Sequence, residues 1–168
     1  MILRDVDSIS RQYSARRVLR LPKQDRSRVS LDRLLRTAEP LLARHGYAKF
    51  TLQSLSQRAQ VSIGSIYHFY RNKRALVRDL QQRFLERIEA EHAAVIDELR
   101  RRHLPLRRLV PLAVRDYGEF LQRHAALLRV FMEIATTDSV VSANGKAYYR
   151  QSSDDFKRLL LDRRNEIR

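Results

Sequence analysis

From Ser30 onward, apolar residues recur at separations of three and four: Leu31, Leu34, Leu35, Ala38, Leu41 and Leu42 fall on one stripe, which is the period of an amphipathic helix. Pro40 lies inside that stripe and has no N–H to donate, so a kink or a fresh start is expected there. Gly46, behind the basic pair Arg44 and His45, is expected to end the helix. The next apolar set is shorter. Residues 51–59 predict two turns of helix with Thr51 as N-cap and Leu52, Leu55 and Ala59 inward. After a joint at Gln60 and Val61, Ser62 caps a second short helix over 63–70, whose Ile66 and Tyr70 face the same core. Two short helices with a brief joint make a helix-turn-helix.

Asn72 then opens a long helix carrying Leu76, Val77, Leu80, Phe84, Ile88, Val95, Ile96 and Leu99, which closes in the basic run 100–103. Past Pro105 a further stripe begins at Leu106 and, with a kink expected at Pro111, continues through Phe120, Leu127, Phe131 and Ile134. Residues 136–145 (TTDSVVSANG) read as a loop, and 146–164 resume the helical period. Residues 1–29 carry charge without apolar spacing and read as a basic arm, an ordinary solvated tail being the alternative. Only four Gly and four Pro occur in the chain, too few for a many-stranded sheet. The expectation is an all-α protein: arm 1–29, helix-turn-helix domain 30–80, and helical domain 81–168.

Composition narrows the chemistry. The 168 residues include 34 Lys and Arg against 19 Asp and Glu, a formal charge of +15, and no Cys. Thiolate zinc sites, iron–sulfur clusters and Cys nucleophiles are excluded, and the charge suits a large acidic partner. No stretch approaches the roughly 20 apolar residues needed to span a bilayer, and the opening MILRDVDSIS lacks the apolar run of a signal peptide. A soluble cytoplasmic protein with no membrane partner is expected. The four glycines assemble neither GxxxxGK nor GxGxxG. Adjacent carboxylates such as Asp154 and Asp155 diverge on a helix, and Glu89 with His92 offers two metal ligands without a third. No enzyme activity, cofactor or metal is expected.

The stretch VSIGSIYHFYRNKRAL, residues 61–76, resembles the helix-turn-helix of the tetracycline-repressor (TetR) family of bacterial transcription regulators through Val61, Ser62, Gly64, Tyr67, Tyr70, Lys73 and Leu76. The resemblance extends upstream through Leu34, Leu35, Ala38, Leu41, Leu42, Gly46, Tyr47, Thr51, Leu55 and Ala59 and covers roughly residues 28–80. Leu42, where the family usually has a long aromatic, and Pro40 depart from its pattern. The resemblance implies that the second short helix enters the major groove of double-stranded DNA while the first crosses the backbone.

Eight residues are candidate DNA contacts. Ser62 can cap the recognition helix and reach a phosphate, simple capping being the alternative. Gly64 lets the duplex come close; Ile63 can meet a thymine methyl and Ser65 a base edge. Tyr67 and His68 look like the family's phosphate-facing pair, a half-buried core role being the alternative for Tyr67. Thr51 matches the family's phosphate-facing cap. Lys73 is a cation at a helix start, where it opposes the dipole and so suggests a phosphate nearby. Gln53 and Arg58 read as ordinary surface residues.

For residues from about 81 the resemblance implies an effector-binding and dimerisation domain, without shared motifs. Phe84, His103, Tyr117, Phe120 and Phe131 are candidate pocket residues, ordinary core being the alternative. The chain stops at Arg168 soon after what looks like the first of the family's two C-terminal pairing helices, so the domain reads as short at its C-terminus; a homodimer is still expected. The function these readings imply is a sequence-specific regulator, a repressor released from a palindromic operator by a small-molecule effector of unknown identity. The alternative is a basic helical protein that coats nucleic acid or anionic membranes without sequence preference.

Overall fold

In a computed structural model the described residues, 23–166, form six α-helices and no strand. They are α1 Lys23–Lys49, α2 Leu52–Ala59, α3 Ile63–Phe69, α4 Lys73–Arg101, α5 Leu106–Ala135 and α6 Ser139–Leu161, followed by a 3₁₀ turn, Arg164–Glu166. The all-α expectation holds. Residues 1–22, most of the expected basic arm, lie outside the described residues.

Three boundaries differ from the sequence reading. Helix α1 begins at Lys23 rather than Ser30, because Lys23, Gln24, Asp25 and Arg26 suit a helix yet leave no apolar period to detect. Within α1, the helix passes through Pro40, and the non-helical backbone sits at Gly46 instead, at φ 70°. Pro40 is exposed, so water can satisfy the carbonyl that loses its donor, whereas φ at Gly46 suits a residue without Cβ. Pro111, also exposed, likewise lies inside α5.

The loop expected over 136–145 shrinks to three residues, because α6 starts at Ser139. Its N-cap is Asp138, whose carboxylate accepts from the amides of Val140 and Val141. The cap is held from outside α6. Arg78 of α4 donates to both oxygens of Asp138 at 2.9–3.1 Å. A Ser/Asn/Gly-rich segment thus becomes helical because tertiary contacts outweigh its local preference for a turn.

One core joins the two halves. Leu34, Ala38 and Leu42 of α1, Leu55, Ile66, and Leu76, Leu80 and Phe84 of α4 are packed in the same cluster as Phe120, Leu127 and Phe131 of α5 and Val141 of α6. Burying each Leu or Phe contributes about 1.5–3 kcal/mol. A second cluster, Ile96, Leu99, Leu109, Ala113 and Leu159, closes the opposite end of α4. Helix α4 therefore connects the helix-turn-helix to the rest, packed along its length.

Candidate nucleic-acid interface

The short helices α2 and α3 are set by their caps. Thr51 Oγ1 accepts from the Ser54 amide at 3.1 Å, and Ser62 Oγ accepts from the Ser65 amide at 3.1 Å. The joint is tight. Gln60 adopts φ 52°, its N–H returns to the Ser56 carbonyl, and Ser56 Oγ donates to the Val61 carbonyl at 2.7 Å. Leu55, Ala59, Val61 and Ile66 are buried beneath, which fixes the face that α3 turns outward.

That outward face carries most of the candidate contacts. Ser62, Ile63, Gly64, Tyr67 and His68 are exposed, and Ser65 is partly so, its hydroxyl 2.8 Å from that of Ser62. Ile63 at 41% and Tyr67 at 56% exposure present large apolar surface to solvent among the described residues. Thr51 is exposed at the start of α2. Gly64 is informative in another way. A Cβ built there meets nothing within 4 Å, and its φ is not positive, so neither packing nor backbone requires glycine. In an exposed helix glycine costs about 1 kcal/mol against alanine.

Lys73 is placed differently. Its Nζ donates to the backbone carbonyl of Tyr47 at 2.5 Å and lies 4.1 Å from the centre of the Tyr47 ring. The partly buried ammonium is held below its ordinary pKa by desolvation. It ties the last turn of α1 to the first of α4. Behind α3, Tyr70 donates to Asp79, which also accepts from Arg83 Nε at 2.9 Å; burial, then the Asp79 carboxylate, raise the Tyr70 pKa and keep it a neutral donor.

A further signal lies in the distribution of charge. Between Glu39 and Asp79 no acidic residue occurs. Arg44, Lys49, Arg58, Arg71 and Arg74 in that stretch are exposed and join none of the ion pairs among the described residues. Acids elsewhere neutralise their neighbours, as Glu39 does Arg87. Around the helix-turn-helix the positive field is left uncompensated, as a polyanion would require.

The pocket candidates divide. Phe84, Tyr117 and Phe131 line a groove of about 480 Å³ between α4, α5 and α6. Phe120 is fully buried behind it, stacked on Tyr117 at 5.6 Å. His103 lies at the turn after α4, beside Arg100 and Asp162 in a separate depression.

Residues 34–80 match the profile of bacterial regulatory proteins of the tetR family. The chain is 26% identical over 107 residues to the HTH-type transcriptional repressor KstR2 of Mycolicibacterium smegmatis, covering 64% of this chain and 50% of that protein. It thus spans half the length of this curated relative. Among solved structures, SCO7518 from Streptomyces coelicolor has a TM-score of 0.60 at 23% identity, over 77% of this chain and 74% of that one. A TetR-family transcriptional regulator from Agrobacterium tumefaciens has a TM-score of 0.62 at 21% identity, over 83% and 74%. At those identities the likeness is one of fold. The matched profile covers the stretch that carries the caps, the exposed face of α3 and the tie from α1 to α4, and over that stretch the chain is similar to bacterial regulatory proteins of the tetR family.

Proposed function

We propose that the protein is a sequence-specific DNA-binding transcription regulator, a homodimeric repressor that leaves a palindromic operator when a small-molecule effector occupies the α4–α5–α6 groove. The observation that carries this reading is the face of α3: an isoleucine, a tyrosine and an unneeded glycine stand exposed in an acid-free stretch. Ile63 and Ser65 read base edges, Ser62, Thr51, Tyr67 and His68 hold phosphates, and Gly64 leaves room for the duplex. Lys73 supports the interface from behind by fixing α1 to α4. In a dimer two such helices enter successive major grooves about 34–36 Å apart.

The test is fluorescence anisotropy on the duplex upstream of the protein's own gene and on a scrambled duplex across a salt series. A preference of at least about 10³-fold for the upstream duplex supports the reading. Equal binding that disappears with salt instead identifies a non-specific basic coat.

A further inference from the structure

The floor of the α4–α5–α6 groove is apolar: Phe84, Leu128, Phe131 and Val141 line it, with Met132 at its edge, 71% exposed. Its rim is not. Ser142, Lys146 and Tyr149 border both this groove and an adjoining depression that also takes in Ser139 and Arg150. Positions 142, 146, 149 and 150 share one face of α6 by their spacing of three and four, so the two cations stand on the same side of the groove mouth.

The sign of the charge is not balanced there. Neither depression has an acidic lining residue, and neither Lys146 nor Arg150 joins an ion pair among the described residues, although Lys157 and Arg158 on the same helix are each paired with an acid. On the other side of Tyr148 the arrangement reverses: Glu86 and Glu89 line that depression and no cation does. Tyr148 itself lies between the two.

Resting on the reading of this groove as the effector site, the geometry points to a ligand with an apolar, ring-sized body and one anionic group, the body seated on Phe84, Leu128 and Phe131 and the anion held at the rim by Lys146 and Arg150. A neutral hydrocarbon would satisfy the floor but leave both cations solvated, and a lipophilic cation would be repelled at the mouth. An apolar anion uses both.

The chain has no Trp, so fluorescence of 1-pyrenebutyrate can be read directly, at 0.3 M salt to screen the general positive charge. The full chain is expected to bind 1-pyrenebutyrate at least tenfold more tightly than 1-pyrenebutanol and to reject 1-pyrenebutylamine. The double variant Lys146→Ala, Arg150→Ala should lower the acid to the affinity of the alcohol. Arg107→Ala with Arg108→Ala, a change of equal charge at exposed positions on α5, should leave it unchanged, and Ala135→Trp, which fills the groove, should abolish binding of both probes. Equal affinity for acid and alcohol, tighter binding of the amine, or an equal loss in the Arg107/Arg108 variant overturns the anion site; binding that survives in a folded Ala135→Trp overturns the groove. If the acid binds as described yet does not release the upstream duplex, the ligand inference stands and the effector reading falls.

Discussion

Arg78 and Asp138 meet across the junction of α4 and α6, 60 residues apart in sequence, through Nε and Nη2 of the guanidinium and both carboxylate oxygens. The same carboxylate caps α6. Asp138 therefore serves two neighbours at once, the head of α6 and helix α4, and burial at 5% exposure keeps water from substituting for either.

Asp138→Ala is expected to lower stability by about 2 kcal/mol or more in urea denaturation, since it deletes a helix cap and leaves a part-buried guanidinium without its partner. The pH dependence has a definite sign. The bonds from Arg78 hold the Asp138 carboxyl below the ordinary carboxylate range, so its contribution is present above the unfolded pKa and fades as pH falls through the depressed folded one. Denaturation midpoints of the native chain and Asp138→Asn should converge in acid; a constant gap would remove the ion pair as the cause.

Gly64→Ala should separate folding from binding. Because a Cβ meets nothing there, the change is expected to stabilise the protein by about 0.5–1 kcal/mol while weakening duplex binding at least tenfold. Tyr67→Ala should also weaken binding, with stability changed by no more than about 0.5 kcal/mol. A Gly64→Ala protein that binds DNA as tightly as the native one would mean that α3 does not approach a duplex at that turn.

Lys73→Met tests whether the ammonium at Tyr47 is a structural tie. Stability should fall and affinity with it, but the slope of log K against log salt should stay unchanged. A phosphate contact would instead lose close to one unit of that slope.

His92 is 2% exposed inside a ring of Tyr117, Phe120 and Phe156, with Asp155 3.8 Å from Nε2 and Nδ1 unpartnered. Burial lowers its pKa, against the opposing pull of Asp155 and Glu89. The unfolded chain then takes up the proton first, so stability should decline as pH falls below about 6.5. His92→Leu is expected to flatten the thermal midpoint over that window. An unchanged slope would show that other groups set it.

The parts legible in the sequence were those fixed locally. Thr51, Ser62 and Asn72 cap the helices their spacing assigned to them, and the exposed face of α3 follows from the buried positions of Leu55, Ala59 and Ile66. What escaped was set at long range. The start of α6 depends on Arg78, the direction of Lys73 on a carbonyl 26 residues earlier, and the groove on three helices meeting. The absence of acids from 40 to 78 was readable, but a net charge for the whole chain averages it away.

Helix α4, 29 residues from Lys73 to Arg101, is also a lever. At 1.5 Å per residue it measures about 43 Å, and the second cluster grips its far end while α3 is attached at the near one. A tilt of about five degrees about the gripped end carries the near end some 4 Å, roughly the rise of one base pair along a strand. On the reading proposed above, repacking along α4 too small to alter any helix would shift α3 by about one base-pair step.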